Sequence, residues 1–284
     1  METQQGPLVV KLGGAEGVRH DHALRDIAEL ARQGVQVIVV HGGSAEANRL
    51  GLDVGHPAAV LTSPSGHESR HTDPRTLEVF VMATALVNRR LVGALQADGI
   101  NAFGLSGLDG ASIRGTRKSA IRSVENGRVR VVRDDWSGRI ESVDSAPLRS
   151  LLRAGLTPVM APLAMTAEGQ PLNVDGDRVA SAVASALRAD ALVLLTGANG
   201  LYASFPDEGT RIACASMEHV DELIGYAEGR MKRKVLAANE ALEGGVGRVA
   251  IAAASSPAPV VDALRGSGTT LYASEAEMTA QVVR

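Results

Sequence analysis

A lysine and a pair of glycines stand together near the start of the sequence. Lys11 follows the apolar residues 8–10, and Gly13 and Gly14 come just after it, before a polar segment begins near residue 19. This order predicts a buried strand whose carboxyl end places a cation and an unshielded backbone at the amino end of a helix. Open α/β sheets bind phosphate groups there, because the N–H groups of the helix start point at the anion.

A second glycine pair repeats this arrangement. Residues 37–40 are β-branched and apolar, and His41, Gly42, Gly43 and Ser44 follow them. Two strands that both end in Gly-Gly favour a polyanion site more strongly than either would alone. The alternative is that both pairs only form tight turns between strand and helix, where glycine is needed for a positive φ.

Lys234 and Asp177 supply further charges suited to phosphoryl transfer. Lys234 lies near the start of a predicted helix at 229–242, where cations oppose the helix macrodipole and a bound polyphosphate would compensate them. Asp177 ends an acidic turn at 173–177. Phosphoryl transfer needs positioning and charge neutralisation rather than covalent help from the protein. Lys11 and Lys234 on either side of a γ-phosphate, held apart by one carboxylate, would be sufficient.

Several other nucleotide-binding motifs are absent. The sequence has no Gly-Lys dipeptide, which excludes a Walker A loop, and neither His-Arg-Asp nor Asp-Phe-Gly, which argues against a protein kinase. No Gly-x-Gly-x-x-Gly follows a predicted strand, so a dinucleotide-binding protein is not expected.

Composition limits the fold class and the partners. The 284 residues are 45% hydrophobic but include only one Trp, three Tyr and three Phe, so Ala, Val, Leu and Ile must build the core. Such a core suits helices packed on a parallel sheet. The net charge of −3 predicts no general affinity for nucleic acid or membrane.

Cysteine use and hydropathy point to the cytoplasm. The single Cys214 excludes an intrachain disulfide and a cysteine-rich metal site, and we predict no metal site in the protein. We find no charged-then-apolar leader and no apolar run near the ~20 residues that a membrane span needs. The prediction is therefore a cytoplasmic protein.

The apolar pattern predicts alternating strands and helices along the whole chain. We expect strands at 35–41, 100–105, 157–161, 191–196 and 249–253, and helices at 20–32, 44–50, 74–96, 180–187 and 229–242. The segment 51–71 is expected to be a loop, long enough to serve as a lid or binding element. Residues 266–284 could return as a short edge strand. No linker interrupts the pattern, which favours one domain over residues 1–284.

The predicted helix at 74–96 has more apolar surface than one sheet can cover. Asp73 and Pro74 form an N-cap followed by proline at the first helical position. Apolar residues occupy more than one stripe of this helix, and we take Val81 as an outward position. The helix is therefore our candidate for a homodimer interface.

Positive charge is concentrated in one β-rich segment, residues 111–139, which we call the basic ribbon. It holds eight basic and three acidic residues, a net charge of +5 in a chain of net −3. Within it, Asn126-Gly127 separates two alternating runs at 119–124 and 128–133, which predicts a β-hairpin. The ribbon could be a solvated edge whose charges block strand pairing, or a docking surface for an acidic protein.

Four segments together resemble the amino acid kinase family and its acetylglutamate kinase branch. They are Val-Lys-Leu-Gly-Gly, Val-His-Gly-Gly, Asn-Val-Asp-Gly-Asp and Gly-Arg-Met-Lys-Arg-Lys-Val, with matching elements from residue 9 to about residue 272. More narrowly, residues 13–17, 41–46, 104–110 and 229–234 are similar to branch members that act on 2-aminoadipate attached to the carrier protein LysW.

The resemblance implies a fold and a reaction. The fold is an α/β three-layer sandwich with a central, mainly parallel sheet, here with a basic β-hairpin added. It comprises a substrate-binding and dimerisation lobe at 1–170 and a nucleotide-binding lobe at 171–284. The reaction is phosphorylation of the side-chain carboxylate of LysW-bound L-2-aminoadipate, in lysine biosynthesis, with ATP as co-substrate and Mg²⁺ carried by the nucleotide.

Two alternatives remain. The first is the same reaction on LysW-bound glutamate or free N-acetyl-L-glutamate, in arginine biosynthesis. The second is a non-catalytic amino-acid or nucleotide sensor, which is disfavoured because Lys11, Lys234 and Asp177 are all present.

The resemblance also assigns roles to individual residues. Lys11 and Lys234 would stabilise the transferring phosphoryl group from the substrate side and the nucleotide side, and Asp177 would orient both lysines. The binding residues would be Gly13 and Gly14 for phosphate; Gly42, Gly43, Ser44, Arg70 and Asn173 for substrate; and Thr196, Gly197, Gly200, Leu201 and Met231 for the nucleotide.

Two of the substrate-binding positions could instead have ordinary structural roles. Arg70 could be a surface cation and Asn173 a helix cap. At the nucleotide side, acetylglutamate kinases commonly carry Ser-Asp where Thr196-Gly197 stands here. For the carrier, the ribbon itself suggests a docking set that borders the substrate entrance: Arg117, Lys118, Arg122, Arg128 and Arg130.

Overall fold

The computed structural model of this chain describes residues 6–14, 20–64, 66, 68–125 and 127–282. The strands are β1 (Leu8–Leu12), β2 (Val37–His41), β3 (Val60–Thr62), β4 (Glu68–Arg70), β5 (Ala102–Ser106), β6 (Ile113–Arg117), β7 (Ile121–Glu125), β8 (Arg128–Val132), β9 (Gly138–Val143), β10 (Thr157–Ala161), β11 (Leu163–Met165), β12 (Pro171–Asn173), β13 (Ala191–Thr196), β14 (Leu201–Tyr202), β15 (Arg211–Ile212), β16 (Cys214–Ser216), β17 (Val249–Ala253) and β18 (Thr269–Tyr272).

Helices lie between some of these strands and after the last one. The α-helices are α1 (Asp21–Arg32), α2 (Ser44–Asp53), α3 (Pro74–Ala97), α4 (Ala146–Arg153), α5 (Gly176–Leu187), α6 (Val220–Tyr226), α7 (Gly229–Glu243), α8 (Pro259–Leu264) and α9 (Glu275–Val282). Short 3₁₀ turns lie at Asp109–Ala111, Glu208–Thr210 and Met217–His219.

The central sheet places the two glycine pairs side by side. Its strand order over the described residues is β16-β18-β17-β13-β1-β2-β10-β5. Every neighbouring pair is parallel except β17 and β18. Because β1 and β2 are adjacent and parallel, with Leu12 opposite His41, both strands end at the same edge of the sheet.

Helices cover both faces of this sheet, because its inner strands are apolar on both sides. Val9 packs with buried residues of α4, α5 and α7, and Val10 packs on the other face with residues of α1, α3 and α8. The α/β three-layer sandwich predicted for the chain is thereby confirmed.

The basic ribbon forms β-structure at the edge of the molecule. Strands β7 and β8 pair antiparallel with Glu125 opposite Arg128, and Gly127 has a φ of +74°. Asn126, the other residue of the predicted turn, lies outside the described residues, as do residues 15–17 of the first matched segment. Ser123 donates a hydrogen bond to the Thr62 carbonyl at 3.4 Å, so β7 lies beside the β3–β4 hairpin.

Three predictions about strands, loops and helix bounds need correction. The segment 51–71 is not a plain loop, because α2 continues to Asp53 and β3 pairs with β4. Asp177 lies within the first turn of α5, since Asp175 caps that helix by accepting from the Asp177 amide at 2.9 Å. Strand β18 is not at the edge of the sheet, because the short β16 covers it.

The long helix α3 begins as predicted, with Asp73 accepting from the Thr76 amide at 2.8 Å. Its outward apolar residues are Met82 and Leu86, which are 44% and 37% exposed. The choice of Val81 as an outward position is wrong, because Val81 packs partly buried against a small cluster that includes Phe80.

No helix among the described residues is both long and apolar enough to cross a membrane.

Candidate active site

Lys11, Asp177 and Lys234 form a buried ion triad. The Lys11 Nζ atom lies 2.6 Å from Asp177 Oδ1, and the Lys234 Nζ atom lies 2.8 Å from Asp177 Oδ2. Each carboxylate oxygen therefore contacts a different lysine. All three residues are less than 10% exposed.

Three separate elements bring the triad together. Lys11 is the fourth residue of β1, Asp177 lies in the first turn of α5, and Lys234 lies in the second turn of α7. Helices α5 and α7 pack on the same face of the sheet through their apolar residues. Because strand and helix packing fix the backbones, the charged groups meet without a loop having to close.

The triad carries an excess positive charge. Burial alone would raise the pKa of Asp177, but the charges of Lys11 and Lys234 outweigh it and hold the pKa well below its usual range. Burial lowers the pKa of Lys234, and the charge of Lys11 adds to this effect while Asp177 opposes it. Two cations and one anion in a poorly solvated place favour the binding of a further anion.

The glycine pairs allow two backbones to touch. A Cβ atom on Gly14 would lie 2.5 Å from the Gly43 nitrogen, and one on Gly42 would lie 2.6 Å from the Gly14 nitrogen. None of Gly13, Gly14, Gly42 and Gly43 has a positive φ. Close approach of the two backbones, rather than a positive φ, is therefore the reason for glycine at positions 14 and 42.

The amides at this edge differ in availability. The Gly42 amide donates to the Leu12 carbonyl at 3.0 Å, so it is already used. The amides of Gly14, Gly43 and Ser44 have no backbone acceptor among the described residues. Gly43 and Ser44 open α2, and the free N–H groups of a helix start are suited to an anion.

The side chain of Arg70, the last residue of β4, reaches the first turns of α2. Its Nη2 atom donates to Asn48 Oδ1 at 2.5 Å and to the Ser44 carbonyl at 3.1 Å. Both bonds use the same amino group, and the Nε and Nη1 groups make no hydrogen bond within the described residues, so their N–H groups can donate to a carboxylate. The Arg70 guanidinium is thus tied to the second glycine turn rather than being a surface cation.

Asn173 lies between the β4 end and the basic ribbon. Its side-chain Nδ2 atom donates to Thr72 Oγ1 at 3.0 Å, and its backbone N–H donates to the Trp136 carbonyl at 3.0 Å. Asp175, not Asn173, caps α5. The alternative that Asn173 is a helix cap is therefore wrong.

The predicted nucleotide residues lie at the end of β13, around the start of β14 and in α7. Thr196 ends β13, which is the neighbour of β1, and Gly197 follows it. Met231 lies in the first turn of α7 and is half-buried. Leu201 is 1% exposed, and its side chain belongs to the core. Its amide donates to Thr269 Oγ1 at 2.8 Å, and Gly200 before it has a φ of +108°.

The predicted carrier-binding residues fall into two groups. Arg117 donates to the carbonyls of Arg133 and Asp135 and lies 4.2 Å above the Trp136 ring, so it holds the ribbon together. Arg130 pairs with Glu125 at 2.8 Å. The residues that are exposed and whose side chains make no hydrogen bond or ion pair within the described chain are Lys118, Arg122 and Arg128.

Two residues of the site were missed by the sequence analysis. Asn48 could be found only after folding, because it meets Arg70 across the α2–β4 contact. Arg233 reaches from α7 to the Glu68 carbonyl at 2.9 Å and to Asp175 at 3.6 Å. It joins α7 to the β3–β4 hairpin, and only its place between two lysines could have drawn attention to it.

The buried triad, the paired glycine turns and the mainly parallel sheet define a class of phosphotransferase site. Residues 6–253 match the model of the amino acid kinase family, and the chain belongs to that family.

Two named relatives match almost the whole chain. The chain is 46% identical over 267 residues to a [LysW]-aminoadipate kinase of Thermus thermophilus, covering 93% of this chain and 99% of that one. It is 36% identical over 267 residues to a [LysW]-aminoadipate/[LysW]-glutamate kinase of Metallosphaera sedula, with 93% and 99% coverage.

A solved structure supports the fold. The N-acetylglutamate synthase of Neisseria gonorrhoeae, complexed with coenzyme A and N-acetyl-glutamate, superimposes with a TM-score of 0.75 at 26% identity. The match covers 94% of this chain but only 59% of that one, so the present chain corresponds to a part of the synthase.

Proposed function

We propose that this protein transfers the γ-phosphoryl group of ATP to the side-chain carboxylate of L-2-aminoadipate carried by LysW. The observation that carries the proposal is the buried triad of Lys11, Asp177 and Lys234, which holds surplus positive charge beside free glycine-turn amides. The names of the relatives supply the acceptor and place the reaction in lysine biosynthesis. A cytoplasmic location suits such a step.

Different residues of the chain have different roles in the phosphoryl transfer. A carboxylate oxygen of the acceptor attacks the γ-phosphorus, and the bond from that phosphorus to the β–γ bridging oxygen breaks to release ADP. Lys234 neutralises charge on the nucleotide side and Lys11 on the acceptor side, while Asp177 keeps them apart. The amides of Gly14, Gly43 and Ser44 donate to the oxygens between them.

Magnesium is proposed to arrive with the nucleotide. The triad carboxylate is already engaged by two lysines, so the protein offers cations and amides at this place rather than anionic ligands. Mg²⁺ usually keeps several waters and is held through substrate phosphates, where it would neutralise part of their charge.

The two lobes have separate tasks in this proposal. Residues 1–170 supply Lys11, the glycine turns and Arg70, whose Nε and Nη1 groups would donate to the α-carboxylate of the acceptor. Asn173, at the boundary, would hydrogen-bond the acylated α-nitrogen. Residues 171–284 supply Lys234 and the proposed nucleotide residues: Thr196, Gly197, Gly200, Leu201 and Met231.

The acceptor experiment decides between this function and its alternatives. The purified enzyme receives ATP with carrier-linked aminoadipate, carrier-linked glutamate or free N-acetyl-L-glutamate, and acyl phosphate is trapped as hydroxamate. We expect the highest kcat/KM on carrier-linked aminoadipate. Because one methylene is worth only about 1 to 3 kcal/mol, the carrier-linked glutamate is expected to react more slowly rather than not at all. Efficient turnover of the free acid would favour the arginine-pathway alternative, and no turnover of any acceptor would favour a sensor.

The basic ribbon is proposed to dock an acidic carrier. It lies beside the β3–β4 hairpin that ends in Arg70, and Asn173 touches it through Trp136. The exposed, unpaired cations Lys118, Arg122 and Arg128 would steer the carrier so that its tethered amino acid reaches Arg70. Arg117 and Arg130 would contribute mainly by holding the ribbon in shape.

Charge reversal tests this docking surface. Lys118→Glu combined with Arg128→Glu is expected to slow carrier association by about tenfold at low salt and to weaken its salt dependence. ATP affinity should not change. Stopped-flow association and ATP titration would measure both quantities. Arg153→Glu with Arg265→Glu makes the same change in net charge at exposed positions of other elements and should leave association unaffected. Equal effects of the two pairs would reject the ribbon as the docking site.

Helix α3 is proposed to form a homodimer interface. The exposed Met82 and Leu86 form an outward apolar site that no described residue covers. Met82→Glu with Leu86→Glu is expected to convert a dimer to a monomer in sedimentation velocity at micromolar concentration, because two charges would have to be buried. Phe205→Glu, at an exposed apolar residue of the other lobe, is the control. A wild-type monomer, or a double variant that stays dimeric, would contradict this interface.

A further inference from the structure

A buried polar network supports the second glycine pair. His41 is 1% exposed, and its Nδ1 atom lies 2.9 Å from the Gly42 carbonyl oxygen. Its Nε2 atom lies 3.1 Å from Nδ2 of Asn88, which is 3% exposed and belongs to α3. Asn88 Nδ2 also donates to the Val159 carbonyl at 2.8 Å.

The network fixes the tautomer of the imidazole ring. The amide nitrogen of Asn88 is a donor only, so His41 Nε2 must accept, and the proton lies on Nδ1. Nδ1–H therefore donates to the Gly42 carbonyl. Burial lowers the pKa of His41 to about 4, which keeps the ring neutral in the pH range in which a kinase works.

We propose that His41, held by Asn88, is a positioning residue that aims the Gly43 amide at the transferring phosphoryl group. The Gly42 carbonyl and the Gly43 N–H belong to one planar, trans peptide unit, so they point in opposite directions. A hydrogen bond that fixes the carbonyl therefore fixes the amide as well. This inference rests on the proposed function, because it names what holds a donor of that site in place.

Glycine makes such a restraint necessary. The contact between the two glycine turns requires residues without a Cβ atom, and glycine is the residue whose backbone is least restricted. The Gly43 amide has no backbone acceptor among the described residues, so no main-chain hydrogen bond fixes its direction. The hydrogen bond from the His41 side chain to the Gly42 carbonyl, on the opposite side of the peptide unit from the Gly43 amide, supplies the missing restraint.

Two substitutions of His41 separate positioning from packing. In His41→Asn the side-chain amide nitrogen replaces Nδ1 and can still donate to the Gly42 carbonyl, but the acceptor for Asn88 is lost. In His41→Gln the side chain reaches the place of Nε2 and can accept from Asn88, but the bond to Gly42 is lost. Both remove an imidazole, so both should lose thermal stability to a similar extent.

The expected result is a difference in kcat between the two variants. We expect His41→Gln to lower kcat by about tenfold, the effect of one net hydrogen bond, with KM for ATP and for the carrier-linked acceptor within about twofold. His41→Asn should restore most of this kcat. In ¹H–¹⁵N spectra of the ligand-free protein, the Gly43 amide should shift and exchange faster in His41→Gln than in His41→Asn.

The outcomes are distinguishable from those that test the proposed function. An active wild type whose two variants lose kcat equally, in step with their melting temperatures, would show that His41 only packs the core. If the wild type phosphorylates none of the three acceptors, the proposed function fails, and the Gly43 amide signal still decides this inference. Identical Gly43 signals in both variants would overturn it.

Discussion

Replacing Lys234 by methionine is expected to lower kcat by about 10²- to 10³-fold, while KM for ATP and for the acceptor changes by a few-fold. Lys11→Met should behave in the same way. The lysines contact Asp177 in the free enzyme, and their surplus charge becomes most favourable when negative charge spreads over the transferring phosphoryl group. Removing an interaction that strengthens in the transition state lowers kcat and leaves KM little changed.

The fold should tolerate either replacement. When one lysine is removed, Asp177 remains paired with the other, and the buried charges change from a net +1 to zero. Methionine fills a similar volume at a site that is less than 10% exposed. Circular dichroism and thermal unfolding should therefore show a protein close to wild type.

A matched control is available on the same helix. Lys232→Met removes one charge from an exposed position two residues before Lys234. Steady-state kinetics should show a near-normal kcat for this variant. A near-normal kcat for Lys11→Met or Lys234→Met as well would remove the proposed mechanism.

Asp177→Asn is expected to have the largest effect on stability, a loss of about 3–5 kcal/mol in the free energy of unfolding. The substitution keeps the shape of the side chain but leaves two buried ammonium groups facing a neutral amide. The mutual repulsion of these groups and their burial are then uncompensated. Activity should be lost with it, because neither lysine is held in place.

The pH dependence of this variant has a definite sign. Without the carboxylate, burial and the charge of Lys11 push the pKa of Lys234 further below the unfolded value, so the unfolded state binds more protons. The stability of Asp177→Asn should therefore rise with pH as the solution approaches the ordinary lysine pKa. Urea unfolding at several pH values would measure this.

A double variant separates charge repulsion from lost shape. Lys11→Met combined with Asp177→Asn leaves one buried ammonium instead of two, so part of the lost stability should return while activity does not. If Asp177→Asn is as stable as wild type at neutral pH, the triad is not a set of coupled buried charges. If the double variant regains no stability, the loss comes from packing around the carboxylate.

The sequence by itself determined the elements of the fold and the types of residue that could carry the chemistry. Runs such as 37–40 must be buried on both faces, and Asp73-Pro74 starts a helix, because these signals depend only on neighbouring residues. The hairpin at Asn126-Gly127 is another local signal. The resemblance of four short segments gave the family, which the comparisons confirm.

Properties that depend on the surroundings of a side chain could not be predicted in this way. Val81 and Met82 are neighbours in an apolar stretch, yet only Met82 points outward, because α2 and β11 cover the other side. Arg117 and Lys118 are equally cationic, yet Arg117 is held by carbonyls and Trp136. Strand β16 has only three residues, too few to show the alternating pattern of a strand. The sequence therefore did not predict that β16 would pair with β18 and take the edge of the sheet.

Only the tertiary structure decided that Lys11 and Lys234 share one carboxylate. The three residues are far apart in sequence, and their meeting follows from β1 lying in the middle of the sheet with α5 and α7 packed over it. The same holds for the glycine pairs, which touch because β1 and β2 are adjacent and parallel. Sequence specifies which groups are present, whereas distances between groups on different elements are set by how buried surfaces pack.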